Sequence, residues 1–342
     1  MRKVSAFAAL CLLANPIVWA NTSLTLDRQG VLWQVSSTPY GLLLEGLREG
    51  EVVVRTVVPF PLGGNGVSDS HLQLAVDDLT GKVVVAWQRN WAATLSSVML
   101  AVWNGESWER VAYLNEEINA NPRNPVLRIA RASTALEPSQ EASESERVCD
   151  SFAFLVWWEG RGASQRLRFA ALDLKRSTSD EGLQVYDLPT SPGLGMNCPQ
   201  PLPADTVERP LFASEPPGPA SRLLAASPNH CFLYVFEISL QLEPPEQGPG
   251  KAEGGLGVTA QRRRHTPIFG VRKVLPVTRE LSAEGTRAVL GADLQPVLYR
   301  VLPEGVEYTV ATEQGWSAKR LLKLENGLTL DRAIALVENL AR

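Results

Sequence analysis

Lys82-Val83-Val84-Val85-Ala86-Trp87-Gln88 is an apolar run that ends in an aromatic residue followed at once by a long polar one. The same ending recurs at Trp33-Gln34, Trp158-Glu159, Phe236-Glu237 and Tyr299-Arg300, so that successive copies stand 54, 71, 78 and 63 residues apart. A short run rich in branched and aromatic residues reads as a strand. A strand signature returning at such intervals reads as a repeat architecture, in which units that cannot bury both faces alone stack on one another.

Around each copy the neighbouring segments repeat as well. HLQLAVD, the Thr80-Gly81 turn, KVVVAWQ, SSVMLAVW, the Asn104-Gly105 turn and WERVAYL read as a four-stranded antiparallel meander; Asn-Gly between two strands is a strong hairpin signal. TRAVLGAD, VLYRV, VEYTVAT and WSAKRLLKL repeat it near the C-terminus, with turns at Leu294-Gln295-Pro296 and Pro303-Glu304-Gly305. In both copies a Trp leads the last strand and an aliphatic residue follows six positions on: Trp108 and Leu114, Trp316 and Leu322. Even spacing along a strand puts the two on one face. The remaining units are LTLD, VLWQVSS, GLLLEGL, EVVVRTVV; then VLRIA, FAFLVWWE, LRFAALDL, LQVYDLP; then SRLLAAS, CFLYVFEISL and TPIFGVRKV. The expected fold is all-β, a β-propeller of about five four-stranded blades over residues 21–328, with six possible. Residues 329–342 read as a short helix capped by Thr329 or Asp331, or as a closing strand, since LTLDR at 328–332 repeats LTLDR at 24–28.

Residues 1–20 have Arg2 and Lys3, then AFAALCLLA, then Val18-Trp19-Ala20, the layout of a secretory signal peptide cleaved after Ala20. The expected location is therefore periplasmic or secreted. No later segment has the roughly 18 apolar residues that a membrane helix needs. Without the leader, 33 basic and 37 acidic residues become 31 and 37, a formal charge of −6. An acidic chain argues against nucleic-acid binding, which wants a basic face. Cys149, Cys198 and Cys231 remain, in a compartment that permits disulfides. Cys149 and Cys231 each precede an expected second strand in neighbouring blades, so these two are the candidate pair.

The aromatic half of the repeated pair reads as filler between sheets. Site candidates lie in the loops beyond it: the face expected to collect them holds Tyr40, Arg89, Trp91, Arg123, Asn124, Glu159 and Arg161. Arg89, Trp91, Arg123 and Arg161 are the binding candidates, with Trp91 foremost because an aromatic on a loop has no strand face to fill. His71, His230 and His265 stand apart with no HExxH spacing, so no metal site is expected, nor any cofactor. Arg262-Arg263-Arg264-His265 reads as a solvated hairpin end. The Glu-bearing stretch 131–148 and the Pro/Gly-rich stretch 242–256 read as solvated loops. No G-x-S-x-G, P-loop or G-x-G-x-x-G is present.

VDDLTGKVVVAWQ with NGESWERVAYL, and ADLQPVLYRV with GWSAKRLLKL, resemble the repeats of secreted bacterial sialidase-like β-propeller proteins. The resemblance implies the propeller scaffold. Sialidases carry S-x-D-x-G-x-x-W boxes and an arginine triad; the boxes are missing here, and no motif equates Arg89, Arg123 and Arg161 with the triad. The expected function is accordingly a non-enzymatic exported propeller, monomeric, that binds a protein or glycan partner through its loop face. The alternative is a sialidase-like glycoside hydrolase or lyase.

Overall fold

The computed structural model describes residues 22–59, 67–92, 95–115, 121–135, 147–160, 166–188, 211–214, 220–226, 231–243, 264–276, 283–291, 295–324 and 328–338. The leader, Arg161, Cys198, His230, Arg262 and Arg263 lie outside the described residues. Sheet one is β1 (Thr22–Leu26), β2 (Leu32–Thr38), β3 (Gly41–Arg48) and β4 (Glu51–Val57). Sheet two is β5 (Ser68–Asp77), β6 (Lys82–Ala92), β7 (Leu95–Trp103) and β8 (Trp108–Tyr113). Sheet three is β9 (Arg123–Ala135), β10 (Arg147–Glu159), β11 (Arg166–Asp173) and β12 (Leu183–Leu188). Sheet four is β13 (Leu211–Ser214), β14 (Ala220–Ala226), β15 (Phe232–Leu242) and β16 (His265–Pro276). In sheet five, β17 (Arg287–Leu290), β18 (Pro296–Leu302) and β19 (Gly305–Thr312) are followed by β20 (Gly315–Trp316) and β21 (Arg320–Lys323), which both pair with β19.

Every pairing is antiparallel and, but for β19 with β21, between consecutive strands, and the first strands β1, β5, β9, β13 and β17 lie side by side in that order. The sheets therefore stack face to face as blades of a β-propeller. Each junction is a separate apolar layer. Trp33, Leu44, Trp87 and Met99 fill the first. Leu100, Leu127, Leu155 and Trp157 fill the second. The third, between sheets three and four, holds Phe154, Trp158, Phe169 and Phe236, and the fourth holds Leu224, Val235, Leu298 and Ala311. The helix α1 (Leu330–Glu338) lays Ala333 and Val337 over the far face of sheet five, against Val297 and Tyr299. Thr329 caps it: its Oγ1 accepts from the Arg332 amide at 3.4 Å.

All five aromatic repeat positions are buried, Tyr299 the least so at 8% exposed. Four stand in second strands, but Phe236 stands in the third strand of its sheet, because the four-residue β13 adds a strand before SRLLAAS. The Trp-to-aliphatic pairs also differ from expectation. Trp108 packs into the junction with sheet one and Leu114 into that with sheet three. Trp316 and Leu322 likewise divide between two layers. A register shift at Val102/Trp103 in one sheet and the break between β20 and β21 in the other undo the even spacing. Both indoles reach the preceding sheet: Trp108 Nε1 donates to Thr56 Oγ1 and Trp316 Nε1 to the Pro276 carbonyl, each at 3.1 Å.

The Cys149–Cys231 bridge is not formed; the structure holds both as thiols. The strand shift in sheet four explains this. Asp150, next to Cys149, bonds His265 at 2.8 Å, and His265 pairs with Leu242 at the end of β15. Cys231 precedes Phe232, at the other end of that 11-residue strand. Cys149 and Cys231 are thus about 30 Å apart at ~3.3 Å per residue, against the roughly 7 Å a disulfide allows.

Candidate functional site: the aromatic rim of sheet two

Strand β6 runs two residues past the start of β5, and this end carries Arg89 and Trp91, two of the residues that the sequence singles out. The pairing of β6 with β7 shifts between Asn90 and Ala92, and a bulge of this kind releases a side chain from the ladder and re-aims it. Trp91 is that residue. Its ring is half-buried, stacks against Tyr113 with centroids 6.2 Å apart and planes 29° from parallel, and donates from Nε1 to Ser97 Oγ at 3.0 Å. Tyr113 closes β8 and is 51% exposed. The Arg89 guanidinium lies over the Trp91 ring, 5.1 Å from its centroid, a cation–π contact made by a residue only 4% exposed.

Arg89 is held in turn by Asp69. The two are cross-strand partners in the β5–β6 ladder, with Nε 3.6 Å from Oδ1 and Asp69 8% exposed. Burial pushes the Asp69 carboxyl above the ordinary carboxylate range, and the nearby guanidinium only partly offsets it. No motif or repeat in the sequence marks Asp69. Only the packing of sheet two against sheet one buries it.

On the opposite face of β6 a polar chain links sheets two and three. Gln88 Nε2 donates to Asn90 Oδ1 at 2.8 Å, Asn90 Nδ2 donates to Ser70 Oγ at 3.1 Å, and the Asn124 amide donates to Gln88 Oε1 at 3.2 Å. His71, beside Ser70, and Asn124 have left-handed backbone angles, φ 53° and 54°, where the chain turns into these contacts. Arg123 opens β9 in sheet three, opposite Trp158 of β10 in the same sheet. Arg89 and Trp91 are therefore in contact, and Arg123 stands one residue before Asn124 on the adjoining strand. Tyr40, 77% exposed, lies in the β2–β3 turn.

Glu159 differs from its expected place at a solvated rim: it is 1% exposed. Its carboxylate accepts from Trp157 Nε1 at 3.0 Å, Arg166 Nη2 at 3.0 Å and Arg168 Nη1 at 3.3 Å, while Arg168 Nε reaches Asp187 at 3.0 Å. This network ties β10, β11 and β12 together. Glu237 pairs with Arg222 and Arg272, and Arg300 with Glu307, so charged residues in the polar half of the repeat anchor cross-strand ion pairs. His265, expected at a solvated hairpin end, is 2% exposed and joins sheets three and four through Asp150. Among the described residues no group of His, Cys, Asp or Glu could hold a metal ion. No described helix is long and apolar enough to cross a membrane.

No known protein family matches the chain, and no curated protein does. Among solved structures it is similar to a subtype N11 neuraminidase-like protein of A/flat-faced bat (H18N11), with 12% identity over 85% of this chain and 69% of that one, at a TM-score of 0.35.

Proposed function

We propose that the chain is an exported β-propeller that binds a glycan at the rim of sheet two, on Trp91 and Tyr113. The observation that supports this most is the stacked, partly exposed aromatic pair backed by a buried guanidinium. Aromatic faces stack on the C–H faces of sugar rings, and Tyr113 is 51% exposed. Arg89 is already matched by Asp69, so the site favours a neutral sugar over an anionic one. The acidic balance of the chain points the same way. Export rests on the leader-like residues 1–20.

Glycan-array binding of the processed protein, followed by titration of a retained glycan, tests the reading. Trp91→Ala is expected to weaken that glycan by about tenfold or more. Equal binding by the variant, or no glycan retained by the wild type, overturns it.

A hydrolase reading has one observation in its favour, the raised carboxyl of Asp69, since a proton-donating acid needs that property. Incubating retained glycans with the protein and with Asp69→Asn separates the readings. Release of sugar by the wild type alone supports hydrolysis; intact glycan in both supports binding.

A further inference from the structure

Sheets two to four have both faces covered by neighbouring blades, and sheet five has sheet four on one face and α1 on the other. Sheet one is covered by sheet two on the Trp33 face alone; its opposite face joins none of the apolar layers among the described residues. The register of β1 to β4 arranges that face in rows. One apolar row runs through Leu26, Leu32, Leu47 and Val52, and a mixed row through Thr22, Ser36, Leu43 and Val57, apolar on β3 and β4. Between them lies the row of Leu24, Gln34, Glu45 and Arg55, charged on β3 and β4, where Arg55 pairs with Glu45 at 3.4 Å. Leu26 is 57% exposed, Val52 51% and Val57 46%. A sheet face of this kind in water is an interaction surface.

We infer that this face docks on the same face of a second copy of the chain, in place of the monomer expected from sequence. The pattern is its own complement. A two-fold axis parallel to the strands, passing between Glu45 and Arg55, sets the Leu47–Val52 and Leu43–Val57 pairs against the same pairs of the second copy and brings Arg55, whose side chain is 68% exposed, over its Glu45. A partner of different sequence would have no need of that symmetry. The inference does not depend on the glycan reading, because the rim of sheet two and the outer face of sheet one are different surfaces.

Sedimentation velocity of the processed chain between about 1 and 100 μM, the range in which an interface of moderate affinity dissociates, tests it. The wild type is expected to dimerise. Glu45→Arg places a guanidinium opposite Arg55 and should weaken the dimer by about tenfold or more. Adding Arg55→Glu to it should restore the dimer. Val52→Asp, at an exposed position with little bearing on folding, should give a monomer by itself. A wild type that stays monomeric across the range overturns the inference, as does a dimer that survives both Glu45→Arg and Val52→Asp.

Discussion

Asp69 and Arg89 set the character of the candidate site, because neither is in full contact with water and neither can do without the other. A buried pair contributes little net stability, but removing one member strands a charge. Replacing Arg89 with Met is therefore expected to lower stability by about 3 kcal/mol, read by urea denaturation, and to loosen Trp91, read as a shift in tryptophan emission. The raised carboxyl of Asp69 works against the folded state at neutral pH, and that cost is relieved as pH falls through its folded value toward the ordinary 3.8. At this scale the sequence was half informative. Trp91 and Arg89 stood out because an aromatic and a cation flank a loop. Asp69 and Tyr113 did not, since their role depends on which strand ends meet.

The repeated aromatic-polar pair shows what an element reveals and what it conceals. Its aromatic member marks a buried strand wherever it occurs, because a large ring in every unit has to fill the space between sheets. It marks the second strand only where the blade begins where it is expected to. Leu211-Phe212-Ala213-Ser214 is too short and too close to proline to announce β13, so the sequence pattern sets sheet four one strand out of step, and the cysteine pairing with it. The clasp between sheets three and four was hidden for the same reason. Asp150 accepts from the His265 amide and from its Nδ1, both at 2.8 Å, and from Lys175 at 3.3 Å. Those contacts outweigh the effect of burial and hold its carboxyl below the ordinary 3.8. A carboxyl lowered in the folded state stabilises above its unfolded pKa, and the benefit is lost as pH falls through the folded value. Asp150→Asn should thus lower the thermal midpoint at pH 7, with the gap to wild type closing below about pH 3.8. A second element-level prediction concerns the β19–β21 pairing. A Cβ on Gly305 would stand 2.1 Å from the Leu322 carbonyl oxygen, and backbone cannot step aside as a side chain can. Gly305→Ala is expected to cost about 1–3 kcal/mol, with faster amide exchange in β21.

For the molecule as a whole, the division into blades was legible and their covering was not. Periodic strands and turn residues fix how many sheets form, because each follows from local sequence. Which faces remain open depends on how the ends of the chain are used. The helix α1 covers sheet five with Ala333 and Val337, while sheet one keeps Leu26, Val52 and Val57 at the surface. The propeller brings the ends of successive strands to shared rims, and there the binding reading has its place. A crystal structure of the protein with a glycan retained on the array tests that reading most directly. The account predicts a sugar ring stacked on Trp91 or Tyr113 with the Asp69–Arg89 pair intact beneath it. A glycan bound elsewhere on the propeller, with the rim of sheet two empty, would contradict it.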